Sequence, residues 1–258
     1  LMAPAWCFVH EDQTPLQPSE YPANIVIATH QPIRRWVLGI RRPDQSNPVW
    51  VLVHAFPEFA APSRSKPRLK QVVVTLADIT EHKAATEHIE HLTRLYQMLS
   101  ETNQAIVRLD NAAALYLRIC HVAVEFGGYL GAWIGLVDEQ TQRIAPVAMA
   151  GAIDDYIRQI RISTDPAQRE GQGPTAVALR QGQSYYCDDF LNDPATAPWH
   201  DRGRRFGIRA SVALPLRRGG CLAGVFTLYA SEPYYFDPSM RALLEEIAWD
   251  MSFALDNF

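Results

Sequence analysis

The sequence predicts an α+β fold in two parts joined by a helix, and three observations carry that prediction. The chain has 258 residues, and at roughly 100 to 200 residues per domain this leaves room for one large domain or two small ones. Three β-type runs come first, whereas the second half reads helices, two strands, helices, three strands, helix, the order of an antiparallel sheet with helices packed on it. Between the halves lies a charged helical stretch with a seven-residue apolar repeat.

Residues 1 to 31 are rich in proline and polar residues, with a strand expected at Trp6 to Val9 and a short helix at Pro22 to Thr29. The β-type runs Ile33 to Ile40, Val49 to Phe56 and Gln71 to Leu76 are separated by Arg42-Pro43-Asp44 and by a Pro/Ser/Lys/Arg stretch over 62 to 70. They read as an antiparallel meander. Thr80 is expected to cap the next helix, because its hydroxyl can accept from an orphan amide. In that helix, 81 to 106, Ala85, Leu92, Leu99 and Ile106 recur every seven residues, and His88, Leu95 and Thr102 stand three positions after the first three. This is a heptad pattern. It predicts a parallel homodimer joined through this helix and the C-terminal one, with a seam of His88, Leu92, Leu95, Leu99 and Ile106, in which the polar His88 and Thr102 lower stability while fixing register. Two alternatives stand beside it: the helix packs only on its own domain, or the seam runs through Ile89 and Tyr96.

Asn111 to Phe126 reads as a helix, Ala132 to Asp138 and Ile144 to Ala150 as strands, and Asp154 to Ile160 as helix-prone. Thr175 to Gln181 looks helical and Ser184 to Cys187 extended, while Asp193-Pro194 and Ala197-Pro198 punctuate a loop. Strands at Ala210 to Leu216 and Cys221 to Tyr229 are joined by Gly219-Gly220. Asp237 before Pro238 is an N-cap and N1 pair. Behind it Met240, Leu244, Ile247, Met251, Ala254 and Phe258 form an apolar stripe on a final helix.

Composition narrows the function. Hydrophobic residues make up 48% of the chain and charged residues 20%, which describes a folded globular protein. Its 24 Lys and Arg against 28 Asp and Glu provide no global positive field for nucleic acid. No apolar run approaches the ~20 residues that cross a bilayer. The four cysteines lack any C-x-x-C pair, which fits reduced thiols in a cytoplasmic protein. The chain reads as a piece of something longer, since its helical pattern runs to the last residue.

The residues from 93 to 255 resemble a GAF domain, through Ala132-Trp133-Ile134-Gly135-Leu136-Val137-Asp138, Arg209-Ala210-Ser211-Val212-Ala213-Leu214-Pro215-Leu216, Phe226-Thr227-Leu228-Tyr229, Phe236-Asp237 and Leu243-Leu244-Glu245. Residues 1 to 80 resemble the C-terminal portion of a PAS domain ending in Asp78-Ile79-Thr80-Glu81-His82-Lys83, with three of about five strands evident. The resemblance implies a partial PAS domain over 1 to 80, a signalling helix over 81 to 106 and a GAF domain over 107 to 258. It further implies a cytoplasmic sensory module that passes a signal to an output domain in cis, either a diguanylate cyclase or a histidine kinase, with the cyclase preferred.

Catalysis is not expected. G-x-S-x-G, Walker A and H-E-x-x-H are all missing from the sequence. A thiol reductase, the chemistry of some GAF proteins, needs an attacking and a resolving cysteine; Cys187 and Cys221 are the pair that could meet. No cofactor is specified: Pro198-Trp199-His200 stands where bilin-binding relatives place a cysteine, Phe236-Asp237 alone matches the cyclic-nucleotide pattern, and His121 or His200 would be a lone haem ligand. His88 and His91 share a helix face but make an incomplete metal site. Arg202, Arg204, Arg205, Arg209, Arg217 and Arg218 fall within seventeen residues free of acid and predict a local positive patch. The leading expectation is a small, anionic or polar ligand in a cavity lined by Trp133, Tyr186, Asp188, Trp199, Phe206, Arg209, Ser211 and Tyr229, with Arg209 as anchor. A ligand-free dimerisation and relay module, with the same aromatics filling a core, is the alternative.

Overall fold

The computed structural model describes residues 6–43, 47–60, 68–138 and 140–256. Asp44 of the first expected break, residues 62–67 of the second, and Phe258 of the final stripe lie outside them. The chain divides into two compact units, Leu1–His88 and Ile89–Phe258.

In the first unit, β1 (Cys7–Val9), β2 (Ile33–Arg41), β3 (Val49–Phe59) and β4 (Leu69–Asp78) form an antiparallel sheet in that order. The expected helix is α1 (Pro22–Thr29), ended by His30 in the left-handed conformation at φ 58°. Phe8, Leu16, Leu38, Val51 and Val53 form a small core. Thr80 does not cap the next helix, α2 (Thr80–Arg108), but is its first residue. Its hydroxyl accepts from Trp50 N at 3.0 Å and donates to Asp78 at 2.7 Å. A β-strand end with an acid two residues back competes for the hydroxyl, and wins.

The second unit holds the rest of α2 and α3 (Ala112–Glu125), which Asn111 caps by accepting from Ala114 N at 2.8 Å. Strands β5 (Gly131–Asp138) and β6 (Arg143–Gly151) follow, then α4 (Asp154–Gln159), α5 (Pro174–Gln181) and β7 (Tyr185–Cys187). The stretch read as a loop is a 3₁₀ turn, Pro194–Trp199, running into α6 (His200–Arg205). Asp193 starts that turn by accepting from Ala195 N, so its proline was an N1 signal and not a break. Strands β8 (Ala210–Arg218) and β9 (Cys221–Ala230) are joined by Gly219 and Gly220 at φ 59° and 77°, the turn that two positive φ values permit. Asp237 caps α7 (Pro238–Leu255) through Ser239 N and Met240 N.

The five strands pair antiparallel in the order β6-β5-β9-β8-β7. Strand alternation sorts them onto two cores. Ile134, Val212, Leu214, Phe226 and Leu228 pack with α2, α3 and α7, while Trp133, Ala213, Val225 and Tyr229 face the other way. Leu95, Met98, Thr102 and Ala105 of α2 are buried on the first side, and Leu92, Leu99 and Ile106 lie partly buried against it. Most of the stripe expected as a dimer seam is therefore packed within its own chain. Ala85 is exposed and His88 half-buried, whereas Ile89 and Tyr96 are 63% and 59% exposed. Among the described residues, no helix is long and apolar enough to cross a membrane.

Candidate functional site

The second face of the five-stranded sheet carries an aromatic cluster and a small cavity. Tyr229 is its hub: Trp133 Nε1 donates to the Tyr229 hydroxyl at 3.3 Å, and the Tyr156 and Phe190 rings stand edge-on to it at 5.5 and 6.4 Å. Phe206 packs on Tyr156 at 5.9 Å. Burial pushes the Tyr229 hydroxyl up to about 12, partly offset by side-chain hydrogen bonds with Trp133 and Tyr156. These phenols are neutral at physiological pH.

The cavity measures about 20 Å³, room for little more than one water. Its walls come from Tyr156 and Ile160 of the α4 region, Gly173 to Thr175, Phe190, Trp199, Ser211, Thr227 and Tyr229. The indole of Trp199 lies against Gly173, where an added Cβ would sit 2.5 Å from the ring. Glycine is needed there because the backbone approaches the ring face. Three hydroxyl residues supply polarity: Thr175, Ser211 and Thr227 are all buried, and Thr227 Oγ1 has no hydrogen-bond partner among the described residues. A buried hydroxyl without a partner costs on the order of 1–3 kcal/mol.

Of the eight residues expected to line a ligand cavity, Trp199, Ser211 and Tyr229 do so, and Trp133 and Phe206 back the same cluster. Tyr186, Asp188 and Arg209 do not line it. Tyr186 precedes Cys187 in β7, so alternation turns it to the helix face, where its hydroxyl donates to Glu245 at 3.0 Å. Asp188 lies just past the strand and is held by Arg241 Nη2 at 2.8 and 3.0 Å. That guanidinium also stacks over the Tyr186 ring at 4.5 Å and its Nε donates to Phe236 O at 2.8 Å. Arg209 precedes β8, half-buried, with its backbone tied to Ala230 and Phe190. Tyr156, Ile160, Thr175, Phe190 and Thr227 escaped the sequence reading, because the first three lie in or at the ends of short helices, Phe190 lies in a loop, and Thr227 looks like any strand residue.

The segment 188–199 covers the cavity and is tied at both ends. Tyr234 N donates to Asp188 O at 2.7 Å beside the Asp188–Arg241 pair. At the other end Thr196 Oγ1 donates to Phe190 O at 2.5 Å, and His200 Nε2 lies within hydrogen-bond distance of Thr196 Oγ1 and Asp193 O, at 3.1 and 3.0 Å. His121, the other single histidine, is exposed on α3. No group of three His, Cys, Asp or Glu able to hold a metal occurs among the described residues.

The arginines expected to form one patch are divided by β8: Arg202, Arg204 and Arg205 sit on α6, while Arg217 and Arg218 sit at the far end of the strand. Arg209 and Arg217 are eight residues apart, about 26 Å of extended chain. The thiols are separated as well. Cys187 pairs with Ser211 and Cys221 with Arg218, seven residues and about 23 Å along the same strand. Cys120 and Cys187 are buried on opposite faces of the sheet, and burial raises each thiol to about 12.

This yields a prediction about pH and thiol reactivity. Both thiols stay protonated in the folded state to about 12 but ionise near 9 once unfolded. The unfolded state therefore holds fewer protons above pH 9, and stability falls as pH rises from 9 towards 12. Denaturant titrations at pH 8 and 10 should show the loss, and iodoacetamide at pH 8 should label exposed Cys221 long before Cys120 or Cys187. Equal labelling of all three would refute the burial.

Comparison with known proteins agrees with this architecture. No curated protein matches the sequence at a significant level. Among solved structures, the free methionine-R-sulfoxide reductase of Neisseria meningitidis superposes with a TM-score of 0.54 at 17% identity, covering 63% of this chain and 89% of that one. The GAF domain of a Coxiella burnetii phosphoenolpyruvate-protein phosphotransferase gives 0.52 at 13%, over 63% and 92%. The reduced form of the Staphylococcus aureus enzyme fRMsr gives 0.52 at 12%, over 63% and 96%. At such identities these likenesses establish the fold alone. The GAF domain family itself matches residues 110–256, more than half of the sequence and the whole of the sheet just described, and the chain belongs to that family.

Proposed function

We propose that this chain is a sensory and regulatory module whose GAF cavity takes a small polar ligand and whose α7 helix carries the response to an output domain in cis. The observation that carries the reading is the double role of the segment 188–199. It supplies Phe190 and Trp199 to the cavity wall, and its first residue, Asp188, is clamped to Arg241 on α7. A ligand that displaces Trp199 would have to pull on that clamp. The unpartnered Thr227 hydroxyl beside Ser211 and Thr175 favours a polar occupant.

The finer parts of the reading have their own support. The first unit, an antiparallel sheet with one helix on it, ending in Asp78-Ile79-Thr80, fits a PAS portion feeding α2. Ile89 and Tyr96, exposed and seven residues apart, offer a homodimer contact on a face of α2 about 110° round from Leu95. Buried free thiols at Cys120 and Cys187 suit a cytoplasmic location. The output would be a diguanylate cyclase, by analogy with GAF domains that precede one.

The coupling is tested with Arg241→Ala. Asp188 and Arg241 are each more than one third exposed, so the variant should lose no more than about 1 kcal/mol of stability. Amide exchange in 188–199 should nonetheless rise clearly, with the cavity floor on β8 and β9 unchanged. Unaltered exchange in that segment would sink the relay reading.

A second reading, a thiol reductase, is favoured by the fold likeness to free methionine-R-sulfoxide reductases. Against it stand two buried, protonated cysteines on opposite faces and a third about 23 Å along the strand. Free methionine sulfoxide with dithiothreitol should give no turnover above the protein-free rate; turnover abolished by Cys187→Ser would replace the sensor reading with this one.

A further inference from the structure

We propose that a groove on the outer surface of the second unit, lined by Arg158, Arg161, Arg169 and Arg202, binds a small polyanion carrying phosphate or carboxylate groups. The groove is open to solvent and offers about 820 Å³, within the range of small-molecule sites. Its arginines arrive from three stretches of chain: Arg158 and Arg161 at the end of α4 and just beyond it, Arg169 in the 169–171 turn, and Arg202 on α6. Local sequence cannot gather residues so far apart; the fold brings them to one concavity. A solvated helix face, the ordinary source of surface charge, does not account for that.

Their electrostatics point the same way. Glu170 is the single acidic residue of the wall, so four positive charges face one negative. Among the described residues none of the four guanidiniums is in an ion pair with an acid. Of the four, Arg202 alone donates a guanidinium N–H to a protein group among the described residues, the Gln159 carbonyl at 3.1 Å. By contrast, Arg204 beside it pairs with Asp201 and Arg241 with Asp188. Like charges converging in a concavity raise the local potential in a chain whose formal net charge is −4, and a polyanion relieves the repulsion. Guanidinium forks suit phosphate and carboxylate because they can donate two parallel hydrogen bonds to either.

The groove is separate from the cavity but shares two residues with it, Ile160 and Trp199. Its floor is therefore the outer side of the cavity's cover, and an anion held there contacts the element that must move for the cavity to open. Binding in the groove needs no such opening, so this inference does not rest on a ligand entering the cavity.

The test is calorimetric titration of the 258-residue chain with pyrophosphate and, separately, with citrate, each at constant ionic strength. The expected result is saturable binding of at least one anion at one site per chain. The double variant Arg161→Ala/Arg169→Ala should bind it at least about tenfold more weakly, since each charged hydrogen bond commonly contributes about that factor. Arg218→Ala, on the distant β8–β9 hairpin, should bind within about twofold of the unmodified chain on the same scale. Tighter binding of pyrophosphate identifies phosphate as the source of the anion, and tighter binding of citrate identifies carboxylate. Both changed arginines are exposed, and an unchanged thermal transition checks that the variant folds; should it not, Arg161→Gln alone carries the comparison. No saturable heat from either anion up to about 10 mM, or equal affinity in the unmodified and arginine-deficient chains, overturns the proposal.

Discussion

Trp199→Ala should destabilise the second unit by about 3–5 kcal/mol and leave a cavity that indole refills. The indole of Trp199 is 8% exposed and lies on Gly173, so truncation removes the ring that closes the cavity over Ser211, Thr227 and Tyr229. The neighbours are held by their own bonds, Tyr229 by Trp133 and Thr196 by Phe190, and cannot collapse fully into the space. For a unit of this size such a loss lowers the melting temperature by roughly 6–20 °C. Indole at millimolar concentration should restore part of it, because a ligand that binds only the folded form stabilises by mass action. A loss below about 1 kcal/mol would mean that the ring is dispensable; full loss without rescue by indole would mean that the cover segment collapses and the cavity does not exist as a binding site.

The second large effect concerns α2. Leu95 is 1% exposed within the single chain, against the core formed by α3, α7 and the sheet, so Leu95→Ala should cost about 2–5 kcal/mol. Ile89→Ala, at a position 63% exposed, should stay within about 0.5 kcal/mol. The two faces should separate again in assembly. If Ile89 and Tyr96 form the contact between copies, glutamate at either should shift the chain towards monomer in light scattering without lowering its melting temperature. Equal stability of the Leu95→Ala and unmodified chains would show that the helix face has been assigned the wrong way round.

That helix shows why a seam is hard to read from one sequence. Leu92, Leu99 and Ile106 repeat every seven residues, yet a helix packing on a sheet and a helix packing on its twin both need an apolar stripe at nearly the same period. The pattern specifies a buried face but not what buries it. Met98 and Ala105, which are buried beside Leu95 and Thr102, widen the stripe to the breadth expected of a helix on its own core.

The cavity divides in the same manner. Trp133, Ser211 and Tyr229 were legible because they sit in strands whose period of two assigns each side chain to a face once the strand is located. The same rule excludes Tyr186, one residue out of phase with Cys187. Arg209 does not line the cavity because it stands before the strand, where the alternation no longer governs direction. The order of the strands, the cap at Asp237 and the Gly219-Gly220 hairpin were determined by the sequence alone, since each rests on interactions within a few residues. What only the tertiary structure decided was which distant segments meet: Phe190 and Trp199 over Tyr229, Asp188 on Arg241, and four arginines from 158 to 202 around one groove. Those contacts join positions dozens of residues apart, and they form because the sheet and its helices fix where each loop must pass, which no local pattern records.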